Sequence, residues 1–268
     1  MISIGMRNMK HDPLRMAIAV SGVVFAVVLV TLELGLLFGL VQNASLLIDQ
    51  SHADIWVMTV NVKTLDFGTP LSQRNKYRLE SVPGVERVEE YNVTYSSWQL
   101  PEGGNANIQV VGFETNSQLA PMPNIVEGSL AALHNSDGLL VDVAERKKLG
   151  NVRINDTVEL LGSAGKVVGY TEGMRSFTTT PYVFTSLRRG EKYGWLNSAS
   201  GEPTSIYFLV RVAPGADPHQ VCRSIEKQIS GVEALTKQEF SWRTRSYWLV
   251  ETGMGMGFVI AASLGLLV

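Results

Sequence analysis

The sequence is poor in cysteine, and this scarcity excludes an internal disulfide. Cys222 is the one thiol among 268 residues. It follows Val221 and shares a predicted helical face with Ile225 or Ile229, so we interpret it as a core residue rather than a nucleophile. An excess of basic charge is also absent, because 23 Lys and Arg stand against 25 Asp and Glu, giving a net charge of −2. The composition therefore gives no indication of nucleic acid binding.

Catalytic motifs are absent as well. A phosphate-binding loop needs four residues between its glycines and a Ser or Thr after its lysine. In "GSAGKVVG", two residues separate Gly162 from Gly165 and Val167 follows Lys166, so we interpret this loop as a hairpin turn. No HExxH, paired-cysteine or G-x-S-x-G pattern occurs. The histidines are scattered along the chain: His11, His52, His134 and His219. We therefore expect no catalytic residue, no metal site and no cofactor, and we do not expect an enzyme.

Charge is nearly missing from a long segment near the amino terminus. Residues 16–41 carry one charged residue, Glu33, in 26 positions. At ~1.5 Å per residue this length crosses a hydrocarbon core of ~30 Å, so we predict a transmembrane helix. A cleaved signal peptide is the alternative, although its apolar region is normally only ~7–15 residues. Arg7, Lys10 and Arg15 precede the segment and residues 41–62 contain no Lys or Arg, so we expect a cytoplasmic amino terminus.

Residues 253–268 carry no charge at all and predict a second transmembrane helix. Proline is absent after Lys237, which predicts one continuous rod of stalk and membrane helix. Small residues recur at every fourth position here, and a GxxxG pattern lies on the first predicted helix. These candidates for close helix packing are Gly35, Gly39, Gly253, Gly257, Ala261 and Gly265. They serve either packing between helices of this chain or a functional contact with a moving partner.

Other membrane-related candidates are one acidic residue and a group of aromatic and basic residues. A carboxylate costs roughly 2.5 kcal/mol or more at the centre of a bilayer. Glu33 should therefore face protein, water or a partner, either in an interhelical hydrogen bond or in a transport role. Trp242, Arg243, Arg245 and Trp248 predict an interfacial belt where the second helix enters the membrane lipid.

Residues 49–238 alternate short strand and helix patterns, which predicts an external α+β domain. "SVPGVERVEEY" (81–91) and "ISGVEALTKQEF" (229–240) both follow a predicted helix and both lead into a strand. Two such strand–helix–strand units predict a ferredoxin-like split βαβ layer. Between them, at about 115–204, we predict a β-rich insert subdomain with a helix at 142–149. Glu89 and Glu90 point to opposite faces of one predicted strand and are interpreted as a solvated edge rather than a carboxylate dyad.

Taken together, these features resemble a known family. A basic amino terminus followed by "MAIAVSGVVFAVVLVTLELGLLFGL", a large external domain containing "SVPGVERVEEY", and a glycine-rich second span are similar to permease subunits of ABC exporters of the MacB/FtsX type, most of all the DevC branch. The resemblance implies a multi-pass inner-membrane protein with a periplasmic main domain. It also implies a separate ATPase subunit, a periplasmic adaptor with an outer-membrane channel, and a homodimer or permease pair.

The expected organisation follows from this resemblance. We predict a cytoplasmic segment at 1–15, the first transmembrane helix and stalk at 16–48, the periplasmic core domain at 49–238, and the second stalk and helix at 239–268. The family has four transmembrane helices, so the chain is expected to correspond to the first part of a longer permease, ending inside its second span. The implied function is export of an amphiphile such as a glycolipid, by mechanotransmission from the ATPase to the periplasmic domain. The alternatives are an FtsX-like regulator of cell-wall hydrolases, a lipoprotein-releasing permease and, less well supported, a two-span receptor.

Overall fold

The structure is a computed structural model that describes residues 13–135, 137–178, 180–194 and 202–267. His11 and the basic residues Arg7 and Lys10, on which the predicted orientation depends, lie outside the described residues. By its internal contacts the chain divides into two units. One unit is the domain Asn43–Arg245, and the other contains the apolar segments before and after it.

The helices of the described residues are numbered in chain order. They are α1 (Pro13–Ala44), α2 (Leu46–Gln50), α3 (Asn75–Glu80), α4 (Leu130–Asn135), α5 (Leu187–Tyr193), α6 (Pro218–Gln228), α7 (Lys237–Ser246) and α8 (Met254–Leu267). Shorter helical turns are two 3₁₀ segments and one π-helical segment: Leu65–Phe67, Val143–Glu145 and Tyr247–Glu251.

The strands are likewise numbered along the chain. They are β1 (Ile55–Thr59), β2 (Leu71–Ser72), β3 (Val85–Gln99), β4 (Asn105–Phe113), β5 (Ile125–Gly128), β6 (Gly138–Asp142), β7 (Thr157–Leu160), β8 (Ser163–Thr171), β9 (Tyr182–Ser186), β10 (Thr204–Ser205), β11 (Tyr207–Val212) and β12 (Val232–Thr236). Ten of them form one sheet, in which the order β12-β1-β11-β3-β4-β9-β6-β8-β5 is joined by β7, while β2 and β10 form a separate ribbon.

The predicted ferredoxin-like layer is confirmed by the first four strands of this order. The chain runs β1-α3-β3 and later β11-α6-β12, and the strands lie side by side as β12-β1-β11-β3 with antiparallel neighbours. Helices α3 and α6 bury Leu79 and Ile225 against the same sheet face, in a cluster that contains Val57 and Phe208. This arrangement is the split βαβ motif. Cys222 is buried in the same cluster, as predicted, and burial raises the pKa of its thiol to about 12.

The repeat that led to this prediction has a structural cause. Gly84 and Gly231 follow α3 and α6 at equivalent places and have φ angles of 89° and 78°. Only glycine adopts this left-handed conformation without a steric cost, and here it lets the chain leave a helix and enter a strand within a few residues. Both units therefore carry Gly-Val-Glu because the same tight connection occurs twice.

The second face of the ferredoxin-like layer carries another apolar cluster. Successive residues of β1 point to opposite faces, so Ile55 and Val57 face the helices while Trp56 and Met58 face the second cluster. Because both faces are covered, β1 is buried along nearly its whole length. This explains the continuous apolar run in "IWVM".

The segment at 115–204 does not form a separate sheet. Its strands extend the core sheet through β3 and β4, and Trp98 of β3 pairs with Leu160 of β7. The pairings β3-β4-β9-β6-β8-β7 therefore return to β3 and form a closed ring. One cluster holds buried side chains from all six strands, as in a small barrel whose interior is filled by side chains. A hairpin is present, as predicted, but its turn lies at Leu161 and Gly162, both with positive φ, and residues 163–169 belong to strand β8 rather than to the turn.

The helix predicted at 142–149 is wrong. Asp142 does accept a hydrogen bond from the Ala144 N–H, but a 3₁₀ turn of three residues follows, and Lys148, Leu149 and Gly150 each donate to the carbonyl three residues earlier. The other Asp142 oxygen accepts from the Met174 N–H. Asp142 thus accepts hydrogen bonds both from this turn and from a distant loop. The residues after it form successive turns instead of an α-helix.

Candidate coupling site

Two helical segments at the two ends of the domain, α2 and α7, are joined by side-chain hydrogen bonds. Segment α2 begins just after α1 ends, and α7 is the last helix before the second apolar segment. Arg245 on α7 donates from Nε to the Ser45 hydroxyl at 2.7 Å and from Nη2 to Asp49 Oδ2 at 2.6 Å. The Ser45 hydroxyl in turn donates to Asp49 Oδ2 at 2.7 Å. We call Ser45, Asp49 and Arg245 the stalk clamp.

The stalk clamp is partly protected from water. Ser45 is fully buried, whereas the side chains of Asp49 and Arg245 are 35% and 32% exposed. A guanidinium that spans a hydroxyl and a carboxylate forms charge-assisted hydrogen bonds, which are stronger and shorter than neutral ones. The clamp therefore fixes the distance and the rotation of α7 relative to α2.

A second polar link joins the amino-terminal end of α7 to the chain after α2. Lys237 donates from Nζ to the Ser51 carbonyl at 3.1 Å, and its backbone N–H donates to the Asp54 carbonyl at 2.9 Å. The Ser51 hydroxyl also accepts from the Trp56 indole N–H at 3.2 Å. The two segments are thus held at both ends of α7.

Helix α7 begins with a capping box. The Glu239 carboxylate accepts from the Thr236 N–H at 2.9 Å and from its hydroxyl at 2.8 Å, while the Glu239 N–H donates to the Thr236 hydroxyl oxygen at 3.3 Å. These bonds satisfy backbone donors that a helix leaves open at its first turn. The start of α7 is therefore tied to the end of β12.

Apolar side chains anchor both segments in one core cluster. Phe240 of α7 packs against Trp56 and Tyr207, with ring centroids 5.6 and 5.9 Å apart. Leu47 and Ile48 of α2 are completely buried in the same cluster. Because tightly packed cores deform little, a displacement of either segment must move the sheet as well.

Arg243 forms a second ion pair on α7. Its Nη2 donates to Glu233 Oε1 at 2.6 Å and its Nη1 donates to the Val62 carbonyl at 3.3 Å. The hydrogen bond from Arg243 lowers the pKa of Glu233, against the opposing effect of burial. The guanidinium is thus held by the domain, and the carboxylate stays charged over a wide pH range.

The polar groups of the stalk clamp are engaged in hydrogen bonds with one another. Within the described ranges, no group of three or more His, Cys, Asp or Glu side chains is arranged to hold a metal ion. The Nδ1 atom of His219 lies 3.5 Å from Glu239 Oε1 on α7.

The predicted membrane residues lie in the other unit. Helix α1 is the one described helix that is long and apolar enough to cross a membrane. Glu33 is half-buried on α1, and its Oε2 atom has no hydrogen-bond partner among the described residues. The space beside Gly35, Gly39 and Gly257 is open to at least 4 Å from where a Cβ atom would lie.

The continuous rod predicted from Lys237 onward is wrong. Residues Tyr247–Glu251 are π-helical, Thr252 N–H donates to the Tyr247 carbonyl, and Gly253 has a φ of 72° before α8 begins. Gly253 therefore precedes the helix that carries Gly257, and its carbonyl accepts a hydrogen bond from the Gly257 N–H at 3.2 Å. Gly255, which the sequence did not single out, is the tightly placed glycine, since a Cβ there would lie 2.5 Å from the Leu249 carbonyl oxygen.

The remaining small residues are consistent with a helix after this break. Ala261 is half-buried on α8. Gly265 also belongs to α8, but its surroundings lie outside the described residues. Helix α8 has 14 residues, whereas ~20 are needed to span a membrane, so the second transmembrane helix stays a prediction.

The tryptophans and the arginines of the predicted interfacial belt lie in different environments. Trp242 is 69% exposed, and Trp248 is half-buried with its ring edge-on to Tyr247 at 5.2 Å. Arg243 and Arg245 are instead bound to carboxylates of the domain. The interfacial position of the two tryptophans stays a prediction. Both arginines form ion pairs that the sequence did not suggest.

Sequence reasoning also missed the partners of these arginines. Ser45 and Asp49 were part of the predicted stalk but carried no motif. Thr236 and Glu239 do carry one, because "TKQE" fits the Ser/Thr-x-x-Glu pattern of a capping box. That signal could have placed the start of α7 from the sequence.

The interpretation of Glu89 and Glu90 as a solvated edge is wrong. Strand β3 lies inside the sheet between β11 and β4, and the two residues are 4% and 8% exposed. They do point to opposite faces. Glu89 accepts hydrogen bonds from Ser117, Gln118 N–H and Leu119 N–H, whereas Glu90 faces Lys76 at 4.0 Å.

Comparison with protein families agrees with this architecture. Residues 16–228 match the family described as the MacB-like periplasmic core domain. A comparison with curated proteins found no match.

Two solved structures are similar to this chain at low sequence identity. The extracellular domain of the noncanonic ABC-type transporter YknZ from Gram-positive bacteria is 10% identical, with a TM-score of 0.47 over 68% of this chain and 98% of that one. The periplasmic region of MacB from Actinobacillus actinomycetemcomitans is 9% identical, with a TM-score of 0.48 over 73% of this chain and 94% of that one.

Proposed function

The chain belongs to the family of MacB-like periplasmic core domains, and we propose that it is the permease subunit of an ABC-type exporter that is powered by a separate ATPase subunit. The observation that carries this proposal is the family match over residues 16–228, which includes most of α1 and the domain as far as the end of α6. The missing phosphate-binding loop is consistent with ATP hydrolysis by a partner. The chain itself is not an enzyme in this proposal.

Coupling in the proposed exporter depends on the stalk clamp. ATP-driven motion of the membrane segments reaches the domain through α2 and α7, which continue from the two apolar segments along the chain. Arg245 joins these stalks, and Phe240 and Ile48 bury them in one core cluster. The domain then responds to both stalks as one body, and its motion drives the substrate outward. The π-helical turn and Gly253 provide a place where the second stalk can bend.

The finer features of the proposal rest on the resemblance to the DevC branch. They are an amphiphilic substrate such as a glycolipid, a periplasmic adaptor, an outer-membrane channel and a homodimer or permease pair. The open faces at Gly35, Gly39 and Gly257 favour a second helix as their partner, because small residues let backbones approach closely in lipid. Glu33 is proposed to meet a polar group of that neighbour.

The test compares Arg245→Met with Arg223→Met in the complete exporter, expressed with its ATPase partner. Arg223 is an exposed residue of α6, so its replacement removes the same charge away from the stalks. We expect Arg245→Met to reach normal membrane levels and to lose export while the partner still hydrolyses ATP. Arg223→Met should export like the parent. The purified chain alone should show no ATPase activity.

Other outcomes would contradict the proposal in distinct ways. Normal export by Arg245→Met would remove the coupling role of the clamp without affecting the family assignment. ATPase activity of the chain alone, surviving repeated purification, would end the permease-subunit proposal. If deletion of the gene left export intact but retained lipoproteins in the inner membrane, the lipoprotein-releasing alternative would replace the exporter.

A further inference from the structure

A cavity beside α3 has no role in the proposed coupling. It has a volume of about 260 Å³ and lies against the ribbon of β2 and β10. Residues that matter for its chemistry are Gln73, Arg74, Lys76, Tyr77, Glu90 and Glu202. A water molecule occupies about 30 Å³ in the liquid, so the cavity is large enough for a small organic group.

Glu90 is the unusual residue of this cavity. Its side chain is 10% exposed, and its Oε2 atom is buried without a hydrogen-bond partner in the described chain. A buried carboxylate oxygen without a donor is unfavourable, because that oxygen has lost its hydration and gained no hydrogen bond in return. Such an atom on a residue that lines a cavity indicates a missing donor.

The cations of the cavity are engaged with other carboxylates. Arg74 Nη2 lies 3.3 Å from Glu202 Oε1, and Lys76 Nζ lies 3.3 Å from Glu114 Oε1. Lys76 approaches Glu90 Oε1 only to 4.0 Å, which is beyond hydrogen-bond distance. Neither cation therefore satisfies Glu90.

The electrostatic surroundings of Glu90 are acidic. The groups that face it are Lys76 of α3, Glu114 after β4, Glu191 of α5 and the Ser205 hydroxyl of β10. Burial raises the pKa of Glu90 to about 7, and the charges of Glu114 and Glu191 add to this effect, while Lys76 and the Ser205 hydroxyl oppose it. A further positive charge would relieve the repulsion among the three carboxylates.

The side chains around the cavity favour an organic cation over a metal ion. No group of three or more His, Cys, Asp or Glu side chains in the described ranges is arranged for a metal. Tyr77 lines the cavity and is 73% exposed, so its ring is available to a cation from the solvent side. An ammonium group is attracted to the face of an aromatic ring and can donate hydrogen bonds to a carboxylate.

We propose that this cavity binds the primary ammonium group of an organic amine, with the Glu90 carboxylate as the hydrogen-bond acceptor and the Tyr77 ring beside the charge. The ammonium group belongs either to a free amine or to a lysine side chain of a peptide. This site is independent of the exporter proposal, since it rests on the cavity alone.

The experiment measures binding to the full chain in detergent micelles by saturation-transfer NMR. The probes are 1,5-diaminopentane for a free amine and N-acetyl-lysine methylamide for a peptide lysine. Tetramethylammonium serves as a cation that cannot donate a hydrogen bond. We expect saturable binding of a primary amine and at least tenfold weaker binding of tetramethylammonium. The better of the two amines identifies the source.

Three variants connect binding to the named residues. Glu90→Gln should abolish saturable binding, whereas Glu102→Gln, at an exposed position in the β3–β4 turn, should leave it unchanged. Tyr77→Ala, at an exposed position, should weaken binding by about threefold without affecting the fold. Binding to the parent should strengthen by about tenfold from pH ~6 to pH ~8, because Glu90 ionises in this interval and the amines stay charged.

The proposal is overturned if Glu90→Gln binds the amine as well as the parent does. It is equally overturned if tetramethylammonium binds as tightly as the primary amines, or if neither amine binds. A pH dependence that persists in a folded Glu90→Gln variant would likewise remove Glu90 as the acceptor.

Discussion

The stalk clamp allows a quantitative prediction from a double-mutant cycle. Arg245→Met keeps the apolar part of the side chain but removes the two donors of the clamp, and Asp49→Asn removes the carboxylate charge. Hydrogen bonds to buried charged groups contribute ~1.5–3 kcal/mol, and exposed ion pairs contribute ~0.2–1 kcal/mol. Asp49 and Arg245 are each about one-third exposed, which places the loss for Arg245→Met at roughly 1–2 kcal/mol, between these two limits.

The interaction between the two side chains should appear as a coupling energy of about 1 kcal/mol in the cycle. The assay is urea unfolding of the full chain in detergent, followed by fluorescence of Trp56 and Trp98, which are fully buried in the domain. A change in the midpoint at constant slope reports the change in stability. Raising the salt from about 0.1 M to 1 M shortens the Debye length from ~10 to ~3 Å and should reduce the coupling markedly.

A matched cycle supplies the control. Replacing Arg223 instead of Arg245, together with Asp49→Asn, should give additive losses because Arg223 lies on α6 and is exposed. A coupling energy below ~0.3 kcal/mol for Asp49 and Arg245 would be indistinguishable from additivity. The observed contacts would then contribute nothing to holding the stalks together, and the coupling mechanism would lose its physical basis.

Two further predictions concern the anchoring and the orientation of the chain. Phe240→Ala should destabilise the domain by roughly 3–5 kcal/mol in the same unfolding assay, because the ring is fully buried between Trp56 and Tyr207. Trp242→Ala on the exposed side of α7 should have an effect within about 0.5 kcal/mol, and equal losses would contradict the one-sided packing. In intact spheroplasts, an impermeant maleimide should label Gly104→Cys in the exposed β3–β4 turn and should not label Asn8→Cys. Reversed labelling would invert the predicted topology.

Elements with a strong local signal could be predicted from the sequence alone. The apolar run at 16–41 predicts α1 because exposing so many apolar side chains to water would be unfavourable, whereas a helix of this length can cross a membrane. Asp217-Pro218 predicts the start of α6, where the Asp217 carboxylate accepts from the His219 N–H at 3.0 Å. The Gly-Val-Glu repeat predicts the paired βαβ units because both connections need a left-handed residue. In each case the determining interaction lies within a few residues along the chain.

Tertiary structure decided the features on which the proposed function depends. Arg245 meets Ser45 and Asp49 across about 200 positions of sequence, and no local pattern around any of them records the contact. Glu90 reads as a solvated residue, yet it becomes buried because its strand lies between two others and the chain around Lys76 covers its face. The break at Gly253 could not be predicted from the sequence, since glycine is equally compatible with a membrane helix and with a left-handed turn. Local sequence sets the helices and strands through short-range energies, whereas the environment of a charged or small residue depends on which distant segments fold against it.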